Sequence, residues 1–185
     1  MYSKLGIVLW PDPHLRKTCQ PVKQFTSALR QLAERMLELM RNGKGVGLAA
    51  PQVGHNIRMF VMNPTGQPTD DRVYVNPVLS DPLGEETGEE GCLSLPSITA
   101  QINRNKAIRM QAQDLDGKPI EDTQSGYIAR IWQHECDHLN GVLITDRMGL
   151  GDRLKYRRAL RELEQTYASE HPEAKGRRQK VKGKR

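Results

Sequence analysis

Only three of the 185 residues are cysteines, Cys19, Cys92 and Cys136, an odd number at unrelated spacings. That argues against a disulfide framework and for a reducing compartment, in which any special cysteine acts as a thiolate. No apolar run approaches the ~20 residues that a membrane-spanning helix needs. The start, MYSKLGIVLW, lacks the charged, apolar and small-residue order of a secretory signal. The expectation is a cytoplasmic protein with no membrane association. No internal repeat is present, which removes a solenoid. The length suits one domain with one core, placed at residues 1–168, followed by a basic, disordered tail at 169–185.

The net charge of +6 belongs to one end of the chain. Residues 152–185 hold 12 Lys and Arg against 5 Asp and Glu, whereas residues 1–151 hold 16 against 17. A basic appendage on a near-neutral body fits a polyanion anchor better than a nucleic-acid active site, and equally fits a solvated helix with a disordered end.

The stretch FTSALRQLAERMLELMRNG sets Leu29, Leu32, Ala33, Met36, Leu39 and Met40 at helical spacing, with Thr26 or Ser27 as N-cap and Asn42-Gly43 as the stop. Strands are predicted at 57–63, 72–80 and 106–114, and DLDGKPIE supplies the turn of a hairpin. A second helix starts after Ser125 and stops at Gly141, and a last one spans about 152–168 with Tyr156, Ala159, Leu160, Leu163 and Tyr167 on one face. This order predicts an α+β fold, antiparallel β-sheet packed around a central helix, with one helix N-terminal and one C-terminal to it.

The central helix carries WQHECDHLNG. Residues four apart on a helix differ by about 40° in direction and ~6 Å in height, so His134 and His138 face one metal ion. Glu135 lies about 100° round from His134, beside the metal, in the position of a general base. Cys136 points away and reads as a small buried apolar residue. Asp137 reads either as an orienting group or as a surface carboxylate.

A catalytic site of this kind takes three protein ligands and keeps one position open. The extended protease pattern His-Glu-x-x-His-x-x-Gly-x-x-His matches through Gly141 but closes on Ile144. Glu162 and Glu164 lie downstream among Arg157, Arg158 and Arg161, where ion pairing accounts for them. Cys92, in EEGCLSLP, is another candidate: Gly91 and Pro96 predict an irregular segment from which a loop presents the thiolate. By itself such a cysteine is also compatible with a buried structural thiol. GVGLAAPQVG (45–54) is a loop where backbone approaches something closely, ending on the amide of Gln52. It lacks the Gly-Lys-Ser/Thr ending of a phosphate loop.

Together GVGLAAPQ, EGCLSLP and QHECDH resemble the three motifs of the peptide deformylases, in order and at compatible spacings, over about residues 11–148. The resemblance implies removal of the N-formyl group from the formyl-methionine of new polypeptides, an N-terminal processing step of protein biosynthesis. It makes Cys92, His134 and His138 the ligands of one divalent ion, Fe(II) by preference, with Zn(II), Ni(II) or Co(II) as substitutes. It makes Glu135 the general base and acid for a water acidified by the metal, and Gln52 and the backbone N–H of Leu93 the oxyanion donors. The peptide adds as a short strand between Gly45–Gly47 and Gly91, and Val46 and Ile131 are candidates for the methionine pocket, with Tyr127 and Arg130 at its rim. Some relatives place arginine where this chain has Thr99. The resemblance also implies docking of the basic C-terminal helix and tail on the ribosome near the peptide exit. The competing readings are a zinc endopeptidase, which needs no Cys92, and a basic RNA-binding module with a structural metal, which needs a fourth ligand.

Overall fold

The computed structural model describes Tyr2 and residues 4–172. Most of the expected tail therefore lies outside the described residues. Helix α1, Ser27–Asn42, buries Leu29, Leu32, Ala33, Met36 and Met40, the positions its periodicity marks. Thr26 caps it, its hydroxyl accepting from the Leu29 N–H at 3.4 Å.

Five strands, β1 (Gly47–Ala49), β2 (Met59–Met62), β3 (Arg72–Cys92), β4 (Leu95–Gln113) and β5 (Pro119–Ser125), form one sheet in sequence order. Every pairing among these five strands is antiparallel. The expected strands at 72–80 and 106–114 are parts of a much longer β3–β4 hairpin. The strand expected to stop at Ser80 continues: the register shift between Ser80 and Leu83 takes Asp81-Pro82 out of the ladder and pairing resumes. Alternation on β4 sustains it: Ile98, Ala100 and Ile102 all point inward. Cys92 thus sits at the end of a strand and pairs with Leu95, rather than in an irregular loop. The Gly45–Gly54 loop likewise contains β1 and a short 3-10 turn, Ala50–Val53. The Asp-Gly hairpin turn forms as expected, with Gly117 at φ 79°.

Helix α2, Gly126–Leu139, packs Ala129, Trp132, Cys136 and Leu139 against Phe60, Met62, Tyr74 and Met110 of the sheet. Ser125 precedes it without a side-chain capping bond. Gly141 ends the turn after α2 at φ 73°, a conformation that favours glycine. Three helices follow: α3 (Ile144–Arg147), α4 (Leu150–Lys155) and α5 (Arg157–Glu170). The single helix expected at 152–168 is therefore broken at Tyr156, and nothing in the sequence marks the break. Tyr156, Ala159, Leu160 and Leu163 pack against the hairpin cluster of Leu95, Ile98, Ala100 and Ile102, so this face serves the body. Among the described residues no helix is long and apolar enough to cross a membrane.

Candidate metal centre

The β3–β4 hairpin tip and α2 meet where the two expected halves of the site lie. The Cys92 sulfur and one ring nitrogen each of His134 and His138 all fall within 4.8 Å of one another. Cys92 Sγ is 3.4 Å from His138 Nε2. His134 Nδ1 contacts Glu90 Oε2 at 2.9 Å, leaving the other ring nitrogen for the centre. Burial opposes charge on both rings. On His134, the contacts to Cys92 and Glu90 outweigh it and lift the pKa well above that of an ordinary imidazole. On His138, burial and then the neighbouring charge of His134 push it well below. Among the described residues no fourth Cys, His, Asp or Glu joins the group. A soft thiolate and two imidazoles converging with one position open fit a divalent metal ion of catalytic type.

Glu135, 3% exposed, lies at the centre's side with Oε2 buried and unpartnered. Burial raises its pKa to about 7. Its carboxylate packs on the backbone of Gly47: a Cβ there would lie 2.8 Å from the carboxyl carbon. Gln52 is anchored through Oε1, which accepts from the Ala49 N–H at 2.9 Å. Its Nε2 then points at Cys92 Sγ, 3.5 Å away, and donates to Ser94 Oγ at 3.2 Å.

Gln52, Cys92, His134 and Glu135 line a cleft of about 560 Å³ between the Gly43–Gly47 loop, the hairpin tip and α2, with His138 behind them. Val46, Gly47, Gly91, Leu93, Ile131, Tyr127 and Arg130 all border it, so the cleft brings the residues expected from the sequence together. β2 pairs only with Arg72–Val75 of β3, which leaves the cleft edge of β3 near Gly91 without a neighbouring strand. The protease alternatives do not converge here. Ile144 is buried in the hairpin cluster, and Glu162 pairs with Arg158 on α5 at 2.8 Å.

The support behind the ligands was not read from the sequence. Glu90 accepts from Arg104 Nε at 2.9 Å and Nη2 at 2.8 Å, from Arg130 at 2.9 Å, and contacts His134. Arg130 is therefore tied into the hairpin as well as bordering the cleft. Asp137 is not a surface carboxylate: it receives Arg104 and Arg147, each at 2.5 Å. One signal existed. Arg104 continues the inward alternation of Ile98, Ala100 and Ile102, and a charge at such a position requires a buried counter-charge.

A helix presenting two histidines and an intervening glutamate, joined by a thiolate from a strand end beside an open cleft, defines a mononuclear metal-dependent hydrolase. The family model for polypeptide deformylase matches residues 4–153, and the chain belongs to that family. A peptide deformylase of Thermotoga petrophila is 44% identical over 161 residues, covering 86% of this chain and 96% of that one. One from Rhodopirellula baltica is 43% identical over 147 residues, covering 78% and 73%. The crystal structure of a Plasmodium falciparum peptide deformylase superposes with a TM-score of 0.87 at 35% identity, covering 90% of this chain and 99% of that one. The match extends beyond the 11–148 marked by the motifs. It supports neither the endopeptidase nor the RNA-binding module.

Proposed function

We infer that this chain is a metallohydrolase that removes the N-formyl group from the formyl-methionine of nascent polypeptides and releases formate. What carries the reading is the convergence of Cys92, His134 and His138 beside the unpartnered carboxylate of Glu135 in one cleft, in a chain of this family. A divalent ion held by those three residues would supply Lewis acidity and lower the pKa of water. Fe(II) is the preferred ion on the family resemblance, and the donor set also suits Zn(II), Ni(II) and Co(II).

The residues divide the remaining work. Glu135 takes the proton of the attacking water at a carboxylate oxygen and delivers it to the departing amine nitrogen. The Gln52 amide and the Leu93 N–H donate to the formyl oxygen as it gains negative charge, each contributing about 3 kcal/mol in the transition state. The Gly91 edge of β3 and the Gly47 backbone hold the peptide as an added strand. Val46 and Ile131 receive the methionine side chain. Residues 1–168 form the catalytic unit.

The cytoplasm is the compartment this reading requires, and the ribosome the docking partner. Leu160 and Leu163 face the body, which leaves the exposed Arg157 and Arg161 outward. The Lys/Arg cluster after Gly176 lies outside the described residues. Deleting residues 170–185 should weaken ribosome co-sedimentation and reduce its salt dependence, while short-peptide hydrolysis persists. Unaltered sedimentation would remove the tail from this role. The catalytic assignment is tested by Glu135→Gln, which should keep metal and peptide binding and slow turnover by orders of magnitude. Turnover near that of the parent enzyme would remove Glu135 from the chemistry.

A further inference from the structure

Gln52, after β1, and Leu93, at the hairpin tip, meet the same formyl oxygen from different parts of the core, so their register must be held by something that touches both. The N-terminal segment does so. The Val8 N–H donates to the Gln52 carbonyl oxygen at 2.8 Å, and the Trp10 N–H to the Ser94 carbonyl oxygen at 2.9 Å. Residues two apart in an extended chain send their N–H groups to the same side, about 6–7 Å apart, and Leu9 between them is exposed. Each end of the segment is pinned in a different cluster. Ile7 packs on the one that contains Ala50 and Val53, to either side of Gln52, whereas Trp10 and Cys92 both pack on that of Leu95.

Ser94 makes a second link. It is fully buried behind the cleft wall, and its Oγ accepts from Gln52 Nε2 at 3.2 Å. Gln52 Oε1 is held by the Ala49 N–H, so the amide plane is fixed at both ends. A primary amide has two diverging N–H groups in that plane, and with one committed to Ser94 the direction of the other is set. The second N–H lies on the side of Cys92 Sγ, 3.5 Å from Nε2, where the cleft opens.

We propose that Ser94 is the positioning residue of the Gln52 amide and that the Val8–Trp10 segment locks the two in register, so that the second amide N–H and the Leu93 N–H address one oxygen. The proposal rests on the deformylase reading above, in which both groups serve as oxyanion donors. Such a donor acts only when aimed at the place where charge develops. Losing one outright costs about 10²- to 10³-fold in kcat, and losing its aim costs part of that, about 10- to 100-fold.

The test measures formate release from formyl-Met-Ala-Ser by the metal-loaded full-length enzyme and by Ser94→Ala, Val8→Pro and Val8→Ala. Ser94→Ala removes the acceptor; Val8→Pro removes the N–H, and Val8→Ala trims the side chain but keeps the N–H. Ser94→Ala and Val8→Pro should lower kcat about 10- to 100-fold with KM and metal content little changed. Val8→Ala should recover most of the loss that proline causes. Introduced into Gln52→Ala, whose amide is already gone, Ser94→Ala should cost less than about twofold more. If Val8→Pro does not fold, an ester in place of the Val8 amide, built by ligating a synthetic segment 1–18 at Cys19, removes the same N–H alone. Parental kcat in Ser94→Ala or without the Val8 N–H would overturn the proposal, as would an equal cost of Ser94→Ala with and without the Gln52 amide. Absence of formate with the parent enzyme would instead overturn the functional reading on which it stands.

Discussion

Replacing Glu90 by glutamine tests the part of the site farthest from the chemistry yet tied most closely to a ligand. Burial alone would raise the Glu90 pKa; the hydrogen bonds and charges of Arg104 and His134 outweigh it and hold the carboxyl well below the usual range. Its side chain is 5% exposed and that of Arg104 is 3%. Glutamine fits the same space and still offers one oxygen to His134 Nδ1, but leaves Arg104 and Arg130 short of a counter-charge. Breaking a buried pair from one side costs about 3–5 kcal/mol, which for a domain of this size lowers Tm by roughly 6–20 °C. Loosening the second contact of His134 should weaken metal binding by about 10- to 100-fold. Because the folded pKa is depressed, the carboxylate's contribution is fully present above the unfolded value of 4.5 and lost as pH falls through the folded one. The Tm gap between parent and variant should therefore be constant from pH 6 to 8 and narrow in acid. Calorimetry across pH with competitive chelator titration measures both effects. A variant with parental Tm and metal affinity at pH 7 would refute the reasoning.

Other substitutions probe the ligands and the close packing around them. Cys92→Ser should lose most bound metal while Cys136→Ser retains it, since burial pushes the Cys136 thiol up to about 12 and keeps it inert; metal analysis of the purified variants decides, and the opposite ranking would sink the ligand assignment. Gly47→Ala should displace the Glu135 carboxylate, 2.8 Å from the added Cβ, and lower kcat far more than metal content, as steady-state kinetics beside metal analysis would reveal. Gly141→Ala puts a Cβ 2.7 Å from the Arg16 carbonyl oxygen at φ 73° and should cost about 1–3 kcal/mol, read by denaturant unfolding.

Much of this was legible from residue order because the relevant periodicities are local. The spacing of His134 and His138 fixes their common direction on any helix, and the alternation of apolar residues in α1 names its buried face. What escaped depends on partners distant in sequence. Gly91 and Pro96 mark an irregular segment until β4 is laid beside β3, so Cys92 was expected in a loop and is found at a strand end. Glu90 stood in a quoted motif without a role, because its three cationic partners come from β4 and α2. The break at Tyr156 carries no local signal, and the tyrosine's hydroxyl finds its partner, Thr99, 57 residues away in sequence.

The central claim is that the Cys92, His134 and His138 centre, with Glu135 beside it, hydrolyses a terminal formamide and leaves internal peptide bonds intact. The most direct measurement offers the purified protein, under anaerobic and iron-retaining conditions, a formyl-methionyl peptide, and quantifies formate, new primary amine and peptide mass together. The account predicts one formate and one free amino terminus per peptide, with the remaining chain unbroken. Peptide fragments from internal cleavage, or metal-replete enzyme that releases no formate, would contradict it.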